Sequence, residues 1–371
     1  MSVTIQNARF YTEDDTLAQR HDLHIEAGRI SALNVTEIQD GAHHLVVPGF
    51  VDLQIYGGGG RLFSAEPSVE TLRMMEDDLL SKGTTGFLAC MATNTPEVFN
   101  SCIAAAKAHR TEARNFLGLH LEGPFLNAKR RGAHVEAYIR KATLDEIKAL
   151  LDFGDGLIKM MTIAPELQDD VVIEYLLDHG VLLSLGHSDA TFEQATAAYN
   201  KGIATTTHLF NAMTPIHHRE PGIPTAVFNH DEAMASIIAD GQHVDFEVVK
   251  FSQKILQERL FLITDAVAAC DHGPYQHMQL GDKFVVPDVS NAGGAVTLSG
   301  SSLTMLQAVK NCVAHCGISL SDALKMAALY PAKLIGLSDQ IGKVALGYTA
   351  DLLVLDKELN LKEVWLKGQK V

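Results

Sequence analysis

Cysteine is scarce in this chain. Five thiols (Cys90, Cys102, Cys270, Cys312 and Cys316) are spread over 371 residues, too few and too scattered for a disulfide framework, so the cytoplasm is the expected location. A basic surplus is missing too. Thirty Lys+Arg against 45 Asp+Glu leave a formal charge of -15. That argues against nonspecific binding to nucleic acid or to an anionic membrane surface, and any anionic small molecule would need local positive charge. No stretch reads as membrane-spanning; the longest candidate without charge, Asn291 to Val309, is full of Gly, Ser, Thr, Asn and Gln. The first residues, MSVTIQNARFYTEDD, have neither a basic n-region nor an apolar h-region, so no signal peptide is expected. A G-x-G-x-x-G opening a helix after the first long strand is also lacking, which disfavours an open dinucleotide-binding sheet. Gly57–Gly60 reads instead as a flexible loop.

What is present is a large apolar fraction. Hydrophobic residues make up 47% and charged residues 20%, which supports an extensive core and rules out disorder. Val3–Ile5, Leu23–Ile25 and Arg29–Leu33 near the start, and Asp351–Asp356 and Val364–Leu366 near the end, read as short strands broken by polar turns. Neither end is long enough for a core of its own. Residues 1–47 and 343–371 are therefore expected to pair into one small β domain. Between them, residues 48–342 carry eight short apolar runs: Gly49–Gln54, Thr84–Cys90, Phe116–Leu121, Leu157–Ile163, Val181–Leu185, Ala204–His208, Ala235–Ala239 and Leu260–Thr264. Helical spacing follows, as in Val69, Leu72, Met75 and Leu79, and again in Leu303, Leu306, Val309 and Val313. Eight strands with helical crossovers predict an α/β fold of the (β/α)8 barrel type.

In such a barrel the chemistry sits just past the C-terminal strand ends. There the sequence places Gln54, His120, Glu122, His187, His208 and Asp265. One strand-end histidine is an ordinary structural residue; several at one end of one barrel are hard to explain by packing. Glu122, His187 and His208 offer one oxygen and two nitrogens, a three-ligand set with room for water, as in catalytic divalent sites. Asp265 is placed to move a proton between that water and a leaving group. Its bland reading is a helix N-cap, because Ala-Val-Ala-Ala follows. His120 shares a strand face with Glu122 and reads either as a further ligand or, preferably, as a supporting residue. Cys312, His315 and Cys316 fall on an apolar helix face and read as buried thiols rather than as a metal site.

The motifs beyond these strand ends carry a resemblance. Val47-Pro48-Gly49-Phe50-Val51-Asp52 and Gly347-x-x-Ala350-Asp351-Leu352 resemble the amidohydrolase superfamily. His120-Leu-Glu122-Gly123-Pro124-Phe125, Gly186-His187-Ser188, Thr207-His208-Leu209-Phe210-Asn211-Ala212-Met213, Arg219-Glu220-Pro221-Gly222, Asp240-Gly241-Gln242-His243-Val244 and Leu298-Ser299-Gly300-Ser301 resemble, in that order, the N-acetylglucosamine-6-phosphate deacetylase family. The resemblance implies a barrel with a small β-sandwich from both termini. It also implies hydrolysis of a sugar 2-acetamido group in cytoplasmic amino-sugar catabolism. It makes Glu122, His187 and His208 the metal ligands, Asp265 the catalytic acid and base, and His134 the group that polarises the acetamide carbonyl. Ala133, Asn211, Ala212, Arg219, His243, Leu298, Ser299 and Gly300 match substrate-contacting positions. Arg219 and His243 are the expected phosphate contacts, and in the family such contacts come from a neighbouring subunit, which implies a homodimer.

Where many superfamily members hold a second metal with His-x-His, this chain has Asp52-Leu53-Gln54. One divalent ion per chain is expected, Zn²⁺ in the first instance, with Fe²⁺, Mn²⁺ and Co²⁺ able to use the same ligands. Two further readings stand beside this one. One is a related amidohydrolase acting on N-acetylgalactosamine 6-phosphate, on another N-acyl amino sugar or on a cyclic amide, since epimer selectivity cannot be read from these motifs. A non-catalytic sugar-phosphate sensor would lack the triad or Asp265, and all four residues are present.

Overall fold

The computed structural model describes residues 2–12, 15–36, 44–281, 283–287 and 296–371. Residues 291–295, which open the Asn291–Val309 stretch, lie outside these. The chain begins with four strands, β1 (Ser2–Arg9), β2 (His21–Glu26), β3 (Arg29–Val35) and β4 (His44–Pro48). It passes through Gly49 directly into β5 (Phe50–Ile55), all six of whose residues are buried. Strands buried on both faces read as continuous apolar runs, and that is why these segments were legible. A small ribbon, β6 (Gly57–Gly58) with β7 (Arg61–Leu62), leads to α1 (Val69–Ser81). Then strand and helix alternate: β8 (Thr84–Ala92), α2 (Pro96–His109), β9 (Phe116–Glu122), α3 (Leu144–Gly154), β10 (Ile158–Ile163), α4 (Asp170–Asp178), β11 (Leu182–Leu185), α5 (Phe192–Asn200), β12 (Thr205–Thr206), α6 (Gly222–Asn229), β13 (Met234–Ile237), α7 (Phe246–Leu256) and β14 (Leu260–Leu262). Beyond β14 come β15 (Met278–Leu280), β16 (Lys283–Pro287) and β17 (Val296–Ser301), then α8 (Met305–Ala314), α9 (Leu320–Ala327), α10 (Leu329–Leu334), β18 (Leu352–Leu355), β19 (Leu361–Leu366) and β20 (Gln369–Lys370).

The eight barrel strands lie in the order β14-β13-β12-β11-β10-β9-β8-β5, every neighbouring pair parallel. The ends meet through Asp265 N–H on the Gln54 carbonyl at 3.0 Å and Tyr56 N–H on the Ala266 carbonyl at 2.9 Å. The expected barrel is therefore present. Its core runs from Phe50 and Leu53 through Phe87, Leu119 and Met161 to Phe261. The outer strands form one seven-stranded sheet, β20-β19-β18-β4-β1-β2-β3, drawn from both ends of the chain as expected. It has its own apolar cluster around Leu23, Ile25, Ile30, Val46, Leu352 and Trp365.

Three local expectations change. Gly57–Gly60 is not a loose loop: Gly57 and Gly58 pair with Leu62 and Arg61, and Gly59 (φ 60) and Gly60 (φ 80) take the left-handed turn that needs glycine. The eighth strand is followed not by a helix but by the antiparallel β15–β17 sheet, so Asp265 caps nothing. In α8 the buried positions are Met305, Ala308, Val309, Asn311 and Cys312, and Leu303, though buried, lies outside the helix because Thr304 caps it. Cys312 and Cys316 are buried and His315 stacks on Phe246 at 4.7 Å, so that segment packs rather than binds. The five cysteines are unpaired, and no helix among the described residues is long and apolar enough to cross a membrane.

Candidate metal centre and active site

Each candidate ligand leaves a barrel strand at its C-terminal end. Glu122 is the last residue of β9; His187 and His208 lie two residues past β11 and β12; Asp265 lies three past β14. The backbone there is bent sharply. His187 (φ 49), His208 (φ 30) and Asp265 (φ 54) are all left-handed, a conformation that costs a side-chain-bearing residue about 1–3 kcal/mol. Three such residues at one barrel mouth show a chain held to an unfavourable shape by its surroundings.

The three ligand side chains converge. His208 Nε2 is 3.0 Å and His187 Nε2 3.3 Å from Glu122 Oε1, and the two Nε2 atoms are 3.2 Å apart. These are the only three His, Cys, Asp or Glu side chains among the described residues that gather in this way. His187 Nδ1 donates to the Arg130 carbonyl at 2.9 Å, since a carbonyl only accepts. Its Nε2 is therefore left as a bare lone pair facing His208 Nε2. Lone pairs from two imidazoles and a carboxylate meeting in a buried space are what a divalent cation satisfies, so these residues fit one.

A hydrogen-bonded group of donors backs this corner. The Gln54 amide nitrogen lies 3.0 Å from Glu122 Oε1, 2.8 Å from Asp265 Oδ1 and 2.9 Å from the Tyr56 hydroxyl. Tyr56 in turn donates to Glu122 Oε2. Burial works to raise Glu122, but His187 and His134 outweigh it and hold the carboxyl well below its usual range. Asp265 goes the other way: burial pushes it up to about 8, opposed by His208 and helped by Glu122. Two carboxylates in one pocket with opposite tendencies suit opposite tasks, a fixed anion and a proton carrier.

His134 sits across the pocket, its ring centroid 4.3 Å from that of His187. The Thr93 amide donates to its Nδ1 at 3.3 Å, so the neutral ring carries its hydrogen on Nε2, which lies 3.0 Å from Glu122 Oε2. His120 is not a ligand: its ring nitrogens bond the Leu53 carbonyl at 2.9 Å and Thr162 Oγ1 at 2.8 Å, and burial lowers it to about 4. It is a neutral strut inside the barrel.

Tyr56, Glu122, His134, His187, His208 and Asp265 line a cavity of about 180 Å³. Ala133, Asn211, Ala212, His243, Leu298, Ser299 and Gly300 share its wall. The Leu298–Gly300 strand end is pinned against Asp265 by Ser301 N–H on the Asp265 carbonyl at 2.9 Å. Gly300 has φ 68, and a Cβ there would meet Val267 at 2.4 Å. His243 is oriented by Asp240, Nδ1 to Oδ2 at 2.7 Å. Arg219 is different. It is exposed and borders an adjoining groove with Arg130, Asp189 and Glu193, outside the cavity of its own chain. Sequence reading missed Tyr56, Ile238, Val267, Tyr275 and His277, which also line the cavity. Tyr56 was within reach, since it lies two residues from Gln54 and shares its strand face.

The Amidohydrolase family model matches residues 45–371. The N-acetylglucosamine-6-phosphate deacetylase of Haemophilus influenzae is 37% identical over 313 residues, 82% of this chain and 81% of that one. An N-acetylgalactosamine-6-phosphate deacetylase of a Shewanella species is 34% identical over 326 residues, 87% and 82% of the two chains. Among solved structures, the Pasteurella multocida N-acetylglucosamine-6-phosphate deacetylase superposes with a TM-score of 0.90 at 31% identity, covering 100% of both chains. A Mycobacterium smegmatis N-acetyl-D-glucosamine-6-phosphate deacetylase, an aspartate-to-alanine mutant in complex with N-acetyl-D-glucosamine-6-phosphate, superposes at 0.86 with 33% identity over 100% of this chain and 98% of that one. On the shared fold and these identities, the chain belongs to the amidohydrolase family, in the branch that holds the N-acetylglucosamine-6-phosphate deacetylases.

Proposed function

We propose that this protein hydrolyses the acetamide of N-acetyl-D-glucosamine 6-phosphate, releasing acetate and D-glucosamine 6-phosphate in amino-sugar catabolism. The observation that carries the proposal is the meeting of the Glu122–His187–His208 triad, Asp265 and His134 in one buried cavity of a chain with these relatives. Glu122, His187 and His208 would hold one divalent cation, Zn²⁺ first among Fe²⁺, Mn²⁺ and Co²⁺, which when bound polarises the carbonyl and makes water a better nucleophile. Gln54, a neutral donor to both carboxylates, supports a single ion. Asp265 takes a proton from the attacking water as its oxygen bonds to the acetamide carbon. His134 Nε2–H donates to the carbonyl oxygen as charge builds there, a contribution typically of about 3–4 kcal/mol per donor. Asp265 then delivers its proton to the sugar nitrogen as the C–N bond breaks.

His243, in the cavity wall, and Arg219 hold the 6-phosphate. Arg219 is exposed and does not line its own chain's cavity, which supports a homodimer in which each subunit completes its partner's site. We place the chemistry in a catalytic domain of residues 48–342, with residues 1–47 and 343–371 as a supporting β domain. Unpaired cysteines support a cytoplasmic setting. The Shewanella relative's name makes the galacto epimer the second substrate to try. The test is acetate release from both N-acetylated hexosamine 6-phosphates, with metal analysis of the same preparation. Acetate from neither overturns the proposal.

A further inference from the structure

A carboxylate outside the cavity joins two of its walls. Glu166 sits in the short turn Pro165–Leu167 after β10 and does not line the cavity itself. Its Oε1 accepts from the Asn127 side-chain amide at 2.9 Å and from the Asp189 backbone N–H at 2.8 Å; its Oε2 accepts from the Ser188 hydroxyl at 2.7 Å. Asn127 opens the loop that ends in His134, and Ser188 and Asp189 follow His187.

From Glu166 a chain of hydrogen bonds runs into the metal centre. Asn127, held by Glu166, donates its own N–H to the His187 carbonyl at 2.8 Å and accepts Arg130 N–H at 2.9 Å. The Arg130 carbonyl, so placed, takes the His187 Nδ1–H at 2.9 Å and thereby leaves Nε2 free to bind. Arg130 Nε returns to Asp189 Oδ1 at 2.8 Å, closing the circuit. Partners that orient a ligating histidine tune metal affinity strongly. Here the same circuit carries the loop of His134 and supports His187 in its left-handed backbone (φ 49).

We propose that Glu166 is a positioning residue that locks the His187 loop to the His134 loop, so that divalent-cation binding and placement of the His134 N–H depend on one shared hydrogen-bond circuit. The inference rests on the metal-site reading above but not on the identity of the sugar.

The test uses the full-length, metal-stripped protein titrated with Zn²⁺ against a chromophoric chelator. Glu166→Ala is expected to weaken Zn²⁺ binding about 10–100-fold. With Zn²⁺ restored to saturation, kcat for acetate release should stay depressed while KM hardly moves. Glu166→Gln should recover both readouts, because its carbonyl oxygen still serves Asn127 and Asp189 while its NH₂ meets a Ser188 hydroxyl turned to accept. Unchanged Zn²⁺ affinity in Glu166→Ala, with or without a lower melting temperature, overturns the proposal. So does a Glu166→Gln variant as impaired as the alanine. If Glu166→Ala fails to fold, Ser188→Ala removes one donor only, and an unchanged Zn²⁺ affinity there is equally fatal. Should wild type release no acetate, the substrate reading fails, and the Zn²⁺ titration still decides the role of Glu166.

Discussion

Among the described residues, two glutamates, Glu76 and Glu122, are buried beside histidines, and they have opposite characters. On the outer layer, Glu76 of α1 lies 3.2 Å from His109 of α2. Its Oε1 accepts backbone N–H groups from Arg114 at 2.7 Å, Asn115 at 3.1 Å and Phe116 at 3.1 Å, and Oε2 faces Arg114 Nε at 3.4 Å. At the mouth, Glu122 lies 3.0 Å from His208. Among the described residues no backbone N–H feeds its carboxylate; its partners are side chains from several strand ends and from the His134 loop. A carboxylate satisfied by the backbone stitches a loop to a helix and has nothing left to offer. One surrounded by side-chain nitrogens and hydroxyls can exchange those contacts for a cation or a substrate without unfolding a loop. Burial and a histidine neighbour are common to both, so they do not mark function; the source of the donors does.

The largest expected effect separates the pairs directly. His208→Ala or His187→Ala should lose bound metal and acetate release together, whereas His109→Ala should keep the wild-type metal content by elemental analysis. Metal loss in the His109 variant would break the contrast. Chelation of the wild type should reproduce the His208 result and be reversed by added Zn²⁺. Next, Asp265→Asn retains the Gln54 contact but cannot take a proton. Turnover should fall by about 10²–10⁴-fold, at or beyond the upper end because one residue serves two proton transfers. Metal and substrate binding should persist; loss of metal would make Asp265 a ligand first. Arg219→Ala should lower kcat/KM on the phosphorylated sugar by about 10–100-fold, as expected for a hydrogen bond to a charged group, and spare the unphosphorylated one. Arg219→Lys should rescue only in part, since it supplies a point charge rather than a fork. Equal losses on both sugars would make Arg219 structural. The smallest catalytic effect belongs to Glu76→Gln. It should cost about 1.5–3 kcal/mol of stability, seen in denaturant unfolding, with kcat and metal content unchanged.

The barrel was legible because parallel strands covered on both faces have to be continuous apolar runs, and Phe50–Ile55 or Thr84–Ala92 look like nothing else. The convergence of the candidate ligands was legible because a strand end is a position that sequence can locate, and Glu122, His187 and His208 each stand at or just past one. Tyr275 and His277 were not, because the β15–β17 segment that folds them over the mouth belongs to no regular repeat of strand and helix. Arg219 marks another limit: its residue type suited an anion, but only coordinates show that it borders a separate groove rather than the cavity of its own chain. Glu166 was invisible for a related reason. Its role depends on loops far apart in sequence meeting at one carboxylate.

The left-handed backbone at His187, His208 and Asp265 has a consequence for engineering. Catalytic geometry and thermal robustness pull against each other at this mouth, because the native fold pays in conformational energy to aim three side chains inward. Asparagine tolerates that backbone better than histidine does. Metal-free His187→Asn relieves part of that cost but loses the Nδ1–H bond to the Arg130 carbonyl, so it should be inactive and melt close to the metal-free parent. A cation bound by Glu122, His187 and His208 would offset that distortion, so on the proposed reading the gap in melting temperature between loaded and stripped protein should be wider for the parent than for that variant.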